Sequence, residues 1–208
     1  PIVADLNSDG VKEIYFGSDN EALHGYNSFG EEIDGFPFQS TDRVRSSPAV
    51  GDVDNDGQME IVFGNSSGKL YIVNHDGSQQ LAYTILGFIE SAPALVDVDG
   101  DQDLEIVFTT TTTSGGQLYA IHHNGITMSG FPKELGSMWT GPAVHDIDND
   151  GVHDIICTTY DKEIYAIDVN GGVIKPGFPF ATSGRFSIPP TVVDVDSDGD
   201  YEIAVGSN

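Results

Sequence analysis

Five acidic clusters carry the chemistry that this sequence offers: DLNSDGVKEI from Asp5, DVDNDGQMEI from Asp52, DVDGDQDLEI from Asp97, DIDNDGVHDI from Asp146 and DVDSDGDYEI from Asp194. With the first Asp as position 1, oxygen-bearing side chains stand at positions 1, 3, 5 and 9. They are Asp5, Asn7, Asp9 and Glu13; Asp52, Asp54, Asp56 and Glu60; Asp97, Asp99, Asp101 and Glu105; Asp146, Asp148, Asp150 and Asp154; and Asp194, Asp196, Asp198 and Glu202. Alternate placement aims carboxylates to one side of the chain, and glycine at position 6 takes a turn of positive φ. The carbonyls of residues at position 7 (Val11, Gln58, Asp103, Val152 and Asp200) add a further oxygen. This is how a chain wraps a hard divalent cation.

Asp, Asn and Gly also make ordinary hairpin turns. A plain turn gives no reason to keep carboxylates on alternate positions, because like charges a few ångströms apart repel strongly without a cation. An EF-hand needs Glu at position 12 between two helices. Position 12 here is Phe16, Phe63, Phe108, Cys157 or Val205, all apolar, so these are calcium loops between strands. Calcium is expected over magnesium because six or more protein oxygens are on offer, whereas magnesium keeps several waters. Up to five ions are expected, and five would move the formal charge from -25 to -15. The first loop has the neutral Asn7, and the third has Gln102 in place of glycine at position 6. A non-glycine residue in a left-handed conformation costs on the order of 1 kcal/mol. These two loops are expected to empty first.

The elements that position the loops repeat with them. Successive first aspartates are 47, 45, 49 and 48 residues apart, and a proline (Pro1, Pro48, Pro93, Pro142, Pro190) stands four residues before each. After each loop comes a β-branched or aromatic run, IYFG, IVFG, IVFT, IICT or IAVG. Runs such as KLYIVNHDG and EIYAIDVNG follow, each ending in a turn signal. GFPF at 35 to 38 returns as GFPK at 130 and GFPF at 177, whereas the second unit has GFIE at 87. Short runs between Asp, Asn and Gly turns, with no 3.6-residue periodicity, predict an all-β chain. Three strands per unit are plain and a fourth is expected around GFPF. Four strands per repeat of this length predict the blades of a β-propeller, each small sheet burying one face only against its neighbours. The approximate repeats are 1–46, 47–91, 92–140 and 141–188, with half of a fifth at 189–208.

The unit resembles FG-GAP or VCBS-type repeats of calcium-binding propellers, including that of integrin α chains. The resemblance rests on the loop, on the Phe-Gly pairs 16–17 and 63–64, and on the SPA, APA and GPA triplets at 47, 92 and 141. It implies that Asp5, Asn7, Asp9, Glu13 and their equivalents are ligands between the first two strands of each blade. Thr109 and Thr158 depart from it where glycine is usual. Such propellers generally have about seven blades, so the chain is expected to be part of a longer propeller or to close by self-association.

Composition narrows the partners. Eight Lys and Arg stand against 33 Asp and Glu, which argues against nucleic acid and anionic membranes. No apolar run is long enough to insert in a membrane, and the one cysteine, Cys157, is expected to be a buried apolar residue. The four segments between blades, QSTDRVRS, LGFIES, KELGSMWT and ATSGRFSI, hold every arginine, Arg43, Arg45 and Arg185, and the one tryptophan, Trp139. These types are enriched at binding hot spots, so this end is a candidate face for a protein or carbohydrate ligand, with blade packing as the competing role. The polar segment TTTTTSGG at 109 to 116 is a further candidate contact loop, expected to be flexible. The six histidines do not cluster and no nucleophile–base motif is present, so no catalysis is expected. A non-catalytic adhesive module of a secreted or cell-surface protein is the leading expectation. There, millimolar calcium would fill even sites with dissociation constants of about 0.1 to 1 mM. A polysaccharide-active, lyase-like enzyme and a purely structural spacer are the alternatives.

Overall fold

The computed structural model describes residues 1–207, all of them in strands, turns and connections, with no helix. Four sheets are consecutive antiparallel meanders of four strands. The first holds β1 (Ile2–Ala4), β2 (Glu13–Gly17), β3 (Ala22–Tyr26) and β4 (Phe38–Gln39). The second holds β5 (Ala49–Gly51), β6 (Glu60–Gly64), β7 (Lys69–Asn74) and β8 (Gln79–Thr84). The third holds β9 (Ala94–Val96), β10 (Glu105–Thr109), β11 (Gln117–Ile121) and β12 (Lys133–Glu134), and the fourth β13 (Ala143–His145), β14 (Asp154–Thr158), β15 (Glu163–Asp168) and β16 (Phe180–Ala181). A fifth pairs β17 (Thr191–Val193) with β18 (Glu202–Ala204). Neighbouring sheets meet through their first strands, β1 beside β5, β5 beside β9, β9 beside β13 and β13 beside β17. That radial succession is the arrangement of propeller blades.

The cores lie between blades. Along β6 and β7, Ile61, Phe63, Tyr71 and Val73 join Tyr15 and Leu23 of the first sheet, while Val62, Leu70 and Ile72 join Ile106, Phe108 and Ile121 of the third. Because side chains alternate across a strand, a central blade must be apolar on both faces. All five residues of β6, β10 and β14 are accordingly buried. Where a neighbour is missing from this chain, the outer face is open: Val3, Ile14, Val193 and Val195 are exposed large apolar residues.

The expected fourth strand needs one correction. In the first, third and fourth blades it is a two-residue strand at the end of the GFP segment. In the second, the tight Asp76–Gly77 turn leads straight into the six-residue β8, and GFIE lies beyond it. With no long excursion to accommodate, the chain continues the β7 hairpin directly and pairs it over most of its length.

The Thr109 and Thr158 departures also have a packing reason. A Cβ on Gly64 would stand 2.1 Å from Ile89 Cγ2, so glycine is required there. Thr109 instead shares a hydrogen bond with Ser91 (2.8 Å) and donates to the Thr140 carbonyl (2.9 Å), and Thr158 pairs with Thr140 Oγ1 (2.9 Å). The threonines replace a close backbone approach with a buried hydroxyl chain whose members are all satisfied.

Candidate functional site

Each acidic loop joins the first strand of a blade to the second, and its geometry follows from hydrogen bonds made by its own carboxylates. At position 1, Asp52 accepts the N–H groups of Asp56 and Gly57, both at 3.0 Å. Asp5, Asp146 and Asp194 repeat the pattern with the residues at positions 5 and 6. At position 5, Asp9, Asp56, Asp101, Asp150 and Asp198 each accept the N–H of position 7. The loop therefore satisfies its exposed backbone donors while leaving carboxylate lone pairs aimed inward.

The position 9 carboxylate closes the ring. One oxygen of Glu13, Glu60, Glu105, Asp154 and Glu202 accepts the N–H of position 2, from Leu6, Val53, Val98, Ile147 and Val195, at 2.8 to 3.4 Å. In the four complete blades this residue is buried, whereas Glu202, lacking a third strand beside it, is exposed. Burial, reinforced by Asp54, Asp56 and Asp52, pushes the Glu60 carboxyl up to about 7, although the Val53 N–H pulls the other way. Burial likewise raises Glu105 and Asp154. An ionised carboxylate in such a place needs a counter-cation.

Oxygens of Asp52, Asp54 and Glu60 converge within 4.8 Å, as do those of Asp146, Asp148 and Asp154. In the third loop three overlapping groups form, Asp97, Asp99 and Asp101; Asp101, Asp103 and Glu105; and Asp99 and Glu105 with His122, each within the same span. The second loop fits a cation most openly. It lines a cavity of about 270 Å³ with Asp54, Asp56, Gln58, Glu60 and Gln80, and Asp54 Oδ1 and Gln80 Oε1 are buried without a hydrogen-bond partner. A divalent ion supplies what both oxygens lack.

Two features escaped the motif. The loops need left-handed backbone at position 4 as well as 6: Ser8, Asn55, Asn149 and Ser197 have φ of 55° to 64°. The third loop reverses the residues, with Gly100 at position 4 (φ 81°) and Gln102 at position 6 (φ 82°). Every loop thus carries one non-glycine left-handed residue, and the expected weakness of the third loop loses its main ground. Side chains also enter from the chain that follows the third strand of the same blade, from β8 in the second blade and from the connection in the third and fourth. Gln80 Nε2 donates to Asp54 Oδ2 at 2.8 Å, and His122 and His123 Nδ1 lie 2.9 and 2.8 Å from Glu105 and Asp103. In the fourth loop it is Lys175, whose Nζ contacts Asp148, Asp150 and Asp154. Burial works against its charge and is outweighed by those three carboxylates, which hold the ammonium protonated well above lysine's ordinary range. These residues lie far from the motif in sequence; a polar or basic residue near the GFP segment is the one signal that could have pointed to them.

Antiparallel connectivity places the second hairpin of each blade and the links between blades at the opposite end of the sheets. Trp139, 51% exposed, stands there between two cavities. One, of about 530 Å³, is lined by Thr112, Thr113, Trp139, Tyr160 and Phe186. The other, of about 430 Å³, is lined by Arg43, Arg45, Phe88, Glu90 and Trp139. The guanidinium of Arg185 lies 4.2 Å from the Tyr160 ring centroid. The four singled-out residues therefore meet on one face. Arg45 also bridges Asp19 (2.8 Å) and Glu90 (3.8 Å), residues of different blades, and so does pack blade to blade. The expected flexible threonine loop is anchored: Thr110 and Thr111 are buried, and Thr111 donates to the Met138 carbonyl at 2.7 Å.

No curated protein matches this chain. Among solved structures, the Pseudomonas aeruginosa PilY1 C-terminal domain matches with TM-score 0.72 and 16% identity over 95% of this chain and 52% of its own. The V. cholerae biofilm matrix protein Bap1 matches with TM-score 0.70 and 19% identity over 97% and 33%, and BamB from Moraxella catarrhalis with 0.61 and 16% over 93% and 54%. The chain thus spans between a third and just over half of these structures. The model of the FG-GAP-like repeat matches three times, at residues 5–63, 52–108 and 97–157, each match running from one acidic loop into the second strand of the next blade. With these matches covering most of its length, the chain belongs to the FG-GAP-like repeat family.

Proposed function

We propose that this chain is a non-catalytic, calcium-stabilised propeller segment of a secreted or cell-surface protein, and that the face around Trp139 binds a protein or carbohydrate. The observation that carries the metal reading is the second loop, where three converging carboxylates, one of them buried, surround oxygens without partners. Calcium there neutralises charge at the base of strands that must stack radially. Extracellular calcium suits such loops, and a biofilm matrix protein among the similar folds supports a surface role.

The opposite face supports recognition. A half-exposed tryptophan, a tyrosine and threonine hydroxyls around one cavity offer a flat apolar surface with polar edges, the combination that holds a sugar ring or an aromatic side chain. Three arginines beside it favour an acidic ligand on an otherwise acidic molecule. The open outer faces of the first and fifth sheets receive further blades of the same polypeptide or a second copy.

The test is binding to glycan and protein arrays in calcium and in EDTA, with melting curves in both and an assay on acidic polysaccharides. We expect calcium-dependent melting and binding without turnover. Melting indifferent to EDTA defeats the calcium reading, and turnover defeats the non-catalytic one.

A further inference from the structure

Lys175 Nζ lies 2.8 Å from Asp148 Oδ2, 3.1 Å from Asp150 Oδ2 and 3.1 Å from Asp154 Oδ1. These are positions 3, 5 and 9 of the fourth loop, the side chains that a divalent ion would use. The lysine side chain is only 11% exposed, and Asp154 is fully buried beneath it. An ammonium is a compact charge with three donors: two are hydrogen-bonded to Asp148 and Asp150, and the third carboxylate, buried Asp154 Oδ1, is held as an ion pair at 3.1 Å with no hydrogen bond of its own. A calcium ion at 2.3 to 2.6 Å from the same oxygens would stand within the lysine's own contact distance, so the two cations exclude one another.

Lys175 is set in this place by the fold. Its N–H donates to Ala166 O at 2.9 Å, two residues before the glycine of GFPF. In the first and third blades the same register is held by Ile33, bonded to Gly25 O at 3.0 Å, and Met128, bonded to Ala120 O at 2.9 Å. Both are apolar and pack into the cores between blades. In the second blade Gln80 reaches a single oxygen of Asp54 and brings no charge. The fourth loop carries four carboxylates like its neighbours, with the shorter Asp154 where the others have Glu, and its added cation comes from a residue 27 positions after Asp148.

We propose that Lys175 is the resident cation of the fourth loop, standing where a divalent ion stands in the others, so that this loop is closed without calcium. The proposal rests on the calcium reading of the remaining loops. It makes the chain a propeller with one permanently locked blade among calcium-dependent ones, and predicts that the number of ions bound is smaller than the number of acidic motifs.

The experiment counts calcium bound per chain, by equilibrium dialysis and titration calorimetry, in the wild type, Asp54→Asn, Asp148→Asn, Lys175→Met and the Lys175→Met, Asp148→Asn double variant. Asp54→Asn is expected to lose one ion and Asp148→Asn none. Lys175→Met, which installs the residue type of the third blade, is expected to gain one ion, and the double variant to lose it again. In EDTA, Lys175→Met should melt below the wild type, and calcium should restore it. Loss of an ion from Asp148→Asn in the wild-type background overturns the proposal, and this arm does not depend on the lysine variant folding. An unchanged count in folded Lys175→Met overturns it as well. A wild type that binds no calcium while Lys175→Met binds one upholds the lysine's role and defeats the reading of the other loops; no binding by either defeats both.

Discussion

Glu60 Oε2 accepts the Val53 N–H at 3.0 Å, so a carboxylate on the first residue of β6 holds the second residue of the loop that precedes it. The same tether recurs in all five blades; the second oxygen meets His122 on Glu105 and Lys175 on Asp154, and on Glu60 it is left for a cation. Glu60→Gln keeps an acceptor for Val53, so in EDTA its stability should stay within about 1 kcal/mol of the wild type. Its calcium-induced rise in melting temperature should shrink. Glu60→Ala should lose about 1 to 3 kcal/mol even in EDTA, because a buried N–H is left unmade. Calorimetric melting of both variants decides this, and a Gln variant with the full calcium shift would sink the assignment.

The first loop carries three carboxylates and the neutral Asn7. Asn7→Asp completes the set, and ion affinity in such loops follows ligand charge. The weakest calcium step should tighten about tenfold, about 1.4 kcal/mol. Titration calorimetry showing no change would remove Asn7 from the ligand set.

Gly64 touches Ile89 so closely that no Cβ fits between them. Gly64→Ala should cost about 1 to 3 kcal/mol in urea denaturation. Combining it with Ile89→Ala should recover part of the loss from overpacking, read as a coupling in a double-mutant cycle. Strict additivity of the two changes would show that the contact is not the cause.

Trp139 contributes its exposed ring to both cavities while its neighbour Met138 is buried. Trp139→Ala should leave stability within about 0.5 kcal/mol of the wild type. Loss of an anchor of this kind should weaken ligand binding by about 2 kcal/mol, roughly thirtyfold. Array and calorimetric binding unchanged in the variant would move the ligand face elsewhere.

Cys157 is wholly buried in β14, and burial pushes its thiol up to about 12. At pH 8 the folded protein therefore presents almost no thiolate, and modification requires opening of the blade. Labelling by an aromatic disulfide reagent should follow the unfolding rate as urea is raised. Immediate labelling of the native protein would contradict the burial.

Much of this protein is local enough to be legible in its amino-acid order. The repeat, the three inner strands and the alternating carboxylates each depend on residues within one short stretch. The face that gathers Arg43, Arg45, Trp139 and Arg185 could be placed from connectivity alone, because alternate links of a meander must share one end. The second blade's outer strand was harder to read, since a tight turn after β7 and a GFP excursion are both allowed by similar residues.

What Asp5 to Glu13 and its four equivalents determine by themselves is a cation-ready loop between two strands, because carboxylate spacing and the left-handed turn are properties of consecutive residues. Which of those loops still needs an ion was decided only when β15 returned along β14 and carried Lys175 to Asp148, Asp150 and Asp154. The same holds for His122 beside Glu105 and for Thr158 against Thr140. Charge compensation is short-ranged, so it answers to whatever the folded chain brings within about 3 Å and not to separation along the sequence.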